Sequence, residues 1–140
     1  MAEKDIKISC LMKRHDIITG EDETIKNSYD GKLKSIGSTH YVFYTEKDEE
    51  GIETANRLKV TDCELVRECK GRSTSVMNFF PSRETTTNYV TMYGTFAMRF
   101  MTRFYKRCDV DNGMDIYVEY VMSMDDKPSA DCTLKIELRW

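Results

Sequence analysis

The chain has 140 residues, 40% hydrophobic and 32% charged, with a formal net charge of −3. That length fits one domain, read here as residues 1–140, with a core large enough to fold without disulfides or metals. The acidic balance argues against a general nucleic-acid binder, and no apolar run approaches the roughly 20 residues that span a bilayer.

From the N-terminus, "MAEKDIKISCLMKRHDII" places charges in every turn and lacks the continuous apolar segment of a secretion signal, so a cytoplasmic protein is expected. Within it Ile6, Ile8, Cys10 and Met12 alternate with polar residues, the period-two signature of a half-buried strand. Asp30-Gly31 and Gly37 read as turns. "THYVFYT" is aromatic and β-branched throughout, as a strand buried on both faces would be, and "KDEEG" closes it at Gly51. "NRLKV" and "CELVREC" follow, joined at Thr61-Asp62. In the second, Arg67 falls between Leu65 and Cys69 on the face those two share.

After Lys70-Gly71, "STSVMNFF" is read with Thr74, Val76, Asn78 and Phe80 on one side, ending at a Pro81-Ser82 turn. "TTTNYVTMY" and "TFAMRFMTRFY" meet at Gly94, where a hairpin turn with positive φ is expected. The second of these puts Phe96, Met98, Phe100 and Phe104 on a core face, interrupted by Thr102, and sets Arg99 and Arg103 opposite. "DVDNG" turns the chain into "GMDIYVEYVMSM", "DDKPS" turns it again, and "DCTLKIELRW" ends it with Cys132, Leu134, Ile136, Leu138 and Trp140 on one side.

No helix longer than a turn or two, no linker and no low-complexity tract is visible. Turns recurring at about 8–15 residues mark an antiparallel meander. About ten strands in one small sheet create exposed edges that closure into a barrel removes. The expected fold is a single all-β antiparallel barrel of about eight to ten strands, its interior either filled by side chains or open to one small ligand.

The segment "NFFPSRETTTNYVTMYGTFAMRFMTRFY" resembles the central signature of the YwiB-like family of uncharacterised bacterial proteins. The matching positions are Phe79 and Phe80, then Tyr89, Thr91, Tyr93 and Gly94, then Met98 and Thr102, and the likeness extends to the C-terminal "LKIELRW". The resemblance implies a calycin-like barrel of the lipocalin and fatty-acid-binding-protein kind. It brings no activity, because that family has no assigned catalytic residues.

Catalytic chemistry has few players. The two histidines, His15 and His40, are tied to no recognisable nucleophile motif. There is no GxSxG elbow, no GxxxxGK[ST] loop and no GxGxxG after a strand. The five cysteines are an odd number without a CxxC pair, so they read as small buried hydrophobes in a reducing compartment rather than a disulfide framework or zinc site. No cofactor and no metal is expected. Arg99, Arg103, Lys106 and Arg107 form a basic strip, read as a solvated outer face paired with Glu119 and Asp115 rather than as an RNA site.

The expected function is a non-enzymatic protein holding a small apolar or amphipathic ligand inside the barrel. The candidate contacts are Arg67, Asn78 and Thr102, which interrupt apolar faces and need partners once buried, together with Tyr89, Phe96, Met98 and Phe100. The alternatives are a packed-barrel interaction module or homodimer with no ligand, and an enzyme of unknown reaction.

Overall fold

The computed structural model describes residues 3–71, 73–124 and 127–140. They form ten strands and no helix: β1 (Glu3–Asp16), β2 (Asp22–Ile36), β3 (Thr39–Lys47), β4 (Glu53–Val60), β5 (Leu65–Lys70), β6 (Ser75–Phe79), β7 (Glu84–Thr91), β8 (Gly94–Val110), β9 (Gly113–Met124) and β10 (Lys127–Arg139). Except for β6 and β7, chain neighbours pair antiparallel, and β1 pairs with β10, giving the order β6-β5-β4-β3-β2-β1-β10-β9-β8-β7. The chain is therefore an up-and-down meander that runs almost full circle.

The circle is nearly closed between β6 and β7. The seam is held by a two-way backbone exchange between Thr74 and Val90, at 2.9 and 3.0 Å, and by the Thr85 hydroxyl donating to the Asn78 carbonyl at 2.9 Å. The turn expected in "DDKPS" falls partly on residues 125–126, which lie outside the described residues. Lys127 and Pro128 already belong to β10, and the register slips between Pro128 and Ala130.

Alternation sets the inner face. Ile6 and Ile8 of β1, Met114 through Tyr120 of β9 and Ala130 through Leu138 of β10 are buried at every second position. β3 is buried on one face rather than two: Val42 and Tyr44 point in, while Phe43 is 39% exposed outside. β6 has the parity opposite to that expected from sequence, with Ser75, Met77 and Phe79 inward and Val76 and Asn78 outward. Asn78 is thereby removed from the interior, because its neighbour Phe79 is the larger apolar group and takes the core position.

Asp30-Gly31 is not a turn but the middle of β2. Gly31 is required there by space: a Cβ would lie 2.6 Å from Ile8 Cδ1 and 2.7 Å from the Phe43 carbonyl oxygen. Gly94 does hold the expected positive φ, +132°, after the Met92-Tyr93 turn. Trp140 ends the inward row of β10 but is 38% exposed at the barrel's end, with the Lys4 ammonium 4.9 Å over its ring.

A bulge in β8 reshapes the wall. The register with β9 shifts between Thr102 and Phe104, so Arg103 is the extra residue. Before it Met98, Phe100 and Thr102 point inward; after it Tyr105 and Arg107 do, and Phe104 is turned out to 44% exposure. The inward row from Phe96 to Phe104 expected from period two fails at this one residue, because a bulge inverts the parity of everything beyond it.

Candidate functional site

The two ends of the barrel differ. The end carrying the β2–β3, β4–β5 and β8–β9 turns is filled. Ile6, Ile8, Leu58, Val60, Leu65, Met114, Ile116 and Leu138 are at most a few per cent exposed. Above them Phe79, Phe100 and Tyr120 pack ring against ring, with centroids 4.7 to 5.9 Å apart. The Tyr120 hydroxyl reaches up to the Met12 sulfur at 3.9 Å. Met12 belongs to the other end, where the strands carry longer and more polar inward residues.

There, a cavity of about 220 Å³ is lined by Cys10, Met12, Ile25, Asn27, Tyr29, Tyr44, Glu46, Arg67, Leu134 and Ile136. Tyr29 and Tyr44 stack at 4.8 Å to form one wall. The Arg67 guanidinium enters from β5. Its contact among the described residues is Glu46 of β3, at 3.8 Å, too long for a hydrogen bond. Arg67 Nε is shielded from solvent and has no hydrogen-bond partner. An arginine carries five N–H donors in a fixed fork and accepts nothing, so this one presents unused donors to a largely apolar cavity.

Polar groups beside Arg67 are better satisfied. Asn56, buried from β4, donates to the Thr54 carbonyl at 3.3 Å and accepts from the Cys69 thiol at 3.0 Å. Burial pushes the Cys10 thiol up, with Arg67 opposing the shift, so Cys10 is a neutral thiol near pH 7. The Tyr29 hydroxyl is pushed up to about 12, by burial first and then by the charge and hydrogen bond of Glu46. These shifts leave Arg67 and Glu46 as the cavity's charged pair.

Further concavities lie outside the barrel, two of them wide. The wider, about 970 Å³, crosses the outer face around Gly31 between Phe43, Ala55 and Trp140. Its charged residues satisfy one another, Lys7 with Asp30 and Lys32 with Asp5. The other, about 480 Å³, is lined by Lys13, His15, Asp22, Arg103, Glu119 and Asp131 among others. His15 pairs with Asp22 at 2.7 Å and Arg103 with Asp131 at 3.5 Å. Neither contains a buried polar atom without a partner, so the inner cavity is the stronger candidate. Among the described residues no cluster of three or more His, Cys, Asp or Glu is arranged to hold a metal, and no helix is long and apolar enough to cross a membrane.

The family scan matches "Domain of unknown function (DUF1934)" over residues 11–136, most of the chain. The chain belongs to this family. No curated protein matches. Among solved structures, the crystal structure of the ywiB protein from Bacillus subtilis superposes with a TM-score of 0.85 and 18% identity, over 98% of this chain and 92% of that one. At that identity the likeness shows a shared barrel fold.

Of the sequence candidates, this DUF1934 domain brings Arg67 alone to the cavity. Tyr89, Phe96, Met98, Phe100 and Thr102 sit on the inner side of β7 and β8, with Met98, Phe100 and Thr102 buried, Tyr89 half-buried and Phe96 at the rim, 40% exposed. Thr102 Oγ1 is buried without a partner and does not line the cavity. The basic strip comes apart: Arg99 pairs with Glu84 at 3.4 Å and Arg103 with Asp131 at 3.5 Å, rather than with Glu119 and Asp115, and Lys106 stays outside. The bulge turns Arg107 into the filled end. Sequence reading passed over Glu46, although it continues the alternation His40, Val42, Tyr44, Glu46 that places it inside.

Proposed function

We propose that this barrel is a non-enzymatic binding protein for a small amphipathic molecule, seated at its open end with the polar part against Arg67. The carrying observation is a guanidinium with no hydrogen bond to any described residue and a solvent-shielded, unpartnered Nε, facing a cavity. Buried polar groups in native proteins find partners, and a cation kept without one is explained by a partner that comes and goes. The apolar lining of Met12, Ile25, Leu134 and Ile136 would take the rest of the molecule. Methionine suits such a wall because its unbranched thioether side chain adapts to different shapes.

The filled half of the barrel supports a shallow seat rather than a through-channel. The ligand is therefore compact, since 220 Å³ is below the about 300–1,000 Å³ of pockets for drug-sized molecules. The test is methyl NMR on protein labelled at the methionine methyls. Titration with leucine, 4-methylpentanoate and 3-methylbutylamine should move the Met12 signal for at least one of the three. Met114, buried at the filled end, should stay in place. A Met12 signal unmoved by all three at millimolar concentration contradicts the reading.

A further inference from the structure

The cavity's charge is balanced, and this bears on which molecule fits. Arg67 and Glu46 both point inward and stand 3.8 Å apart, Arg67 27% and Glu46 33% exposed. A carboxylate docking on the Arg67 guanidinium comes within reach of the Glu46 carboxylate, which repels it. An amine docking on Glu46 meets the same objection from Arg67. A ligand with one charge therefore leaves the pocket with an uncompensated charge whichever member it engages. A ligand that brings both charges on adjacent atoms compensates both residues at once.

We infer that the cavity between Arg67 and Glu46 takes a small zwitterion with an apolar side chain, of the α-amino-acid class. This deepens the reading proposed above and rests on it. The carboxylate lies on the terminal nitrogens of the Arg67 guanidinium, which offer two parallel N–H donors. The ammonium lies toward Glu46, with Asn27 at the rim as a further polar contact. The side chain points at Met12, Leu134 and Ile136. Size agrees: 220 Å³ is the room of about seven water molecules at ~30 Å³ each, enough for one amino acid and not for a long acyl chain. Tyr29 keeps its proton far above neutral pH, so it acts as a donor and adds no third charge.

The same three probes separate this inference from the reading it rests on, because the acid and the amine are leucine with one charged group deleted. Leucine should bind about tenfold to a hundredfold more tightly than either, the usual worth of one hydrogen-bonded charge in a shielded site. Glu46→Gln should weaken leucine by a similar factor while leaving 4-methylpentanoate unchanged or improved, and Arg67→Met should weaken both. The Met114 methyl and the far-UV spectrum report that each variant is folded. Binding of 4-methylpentanoate as tight as that of leucine, or leucine binding indifferent to Glu46→Gln, overturns the zwitterion inference and leaves a simple anion site. Absence of any Met12 shift overturns both.

Discussion

Arg107 and Arg67 are two inward-pointing arginines at opposite ends of one barrel, and they are treated in opposite ways. Arg107 is 11% exposed and fully engaged. It contacts Asp62 at 3.0 Å, Asp109 at 3.3 Å, the Ser38 carbonyl at 3.5 Å and His40 Nε2 at 3.2 Å. Beside it the Tyr105 hydroxyl donates to the Thr61 carbonyl at 2.7 Å, and His40 Nδ1 meets the Ser35 hydroxyl at 2.6 Å. Arg67 has Glu46 at 3.8 Å. One arginine seals an end by tying β8 to the β2–β3 and β4–β5 turns; the other is held inside with its donors unused. A buried cation that serves the fold is surrounded by acceptors, and one that serves a ligand leaves them to the ligand.

The contrast can be broken at several points, the largest at the filled end. Phe79→Ala removes the ring that contacts both Phe100 and Tyr120. It should cost on the order of 3–5 kcal/mol by urea unfolding. Met12→Ala borders a space that already exists and should cost clearly less. Equal losses would mean that the two ends are equally packed.

Next comes Arg107→Met, which should lower stability by about 1–3 kcal/mol. The lower part of that range is favoured because Asp62 and Asp109 are mostly exposed and water screens much of their interaction. Lysine at the same position should recover only part of the loss, since it lacks the fork that reaches several acceptors.

A smaller effect is expected in pH dependence. Burial holds His40 below its ordinary value, and Arg107 adds to this, while Asp109 and Asp62 oppose it. The unfolded chain then binds the proton more readily than the folded one. Stability should fall as pH drops below about 6.5 and level off once pH passes the folded-state pKa. Subtracting the curve of His40→Gln between pH 7 and pH 5 isolates this contribution. A difference that is flat across that window would show that His40 is not held neutral by its surroundings.

Much of this architecture is legible in the alternation of Ile6 to Met12, Met114 to Tyr120 and Cys132 to Leu138, because burial on one face leaves a period-two trace in sequence. Arg67 is legible for the same reason, since Leu65 and Cys69 flank it on the inner face. Other features are set by contacts far along the chain. Nothing near Arg103 announces a bulge, yet that residue turns Phe104 out and Arg107 in. Asp30-Gly31 has turn chemistry, but Gly31 is glycine because Ile8 and Phe43 close on it from neighbouring strands. The β6 parity is decided by which of Phe79 and Phe80 meets Phe100 and Tyr120. Glu46 becomes a site residue only when β3 and β5 bring it opposite Arg67, across the intervening β4.

The most direct measurement is the unfolding free energy of Arg67→Met against the parent, in the absence of any added ligand. If Arg67 is kept for a ligand, no bonded partner is stranded by its loss, and Glu46 remains partly exposed to water. Stability should be unchanged within about 0.5 kcal/mol or increased, because an unsatisfied buried donor has been removed. A loss of about 1–3 kcal/mol would place Arg67 beside Arg107 as a structural residue, and would contradict the account of the open end as a binding site.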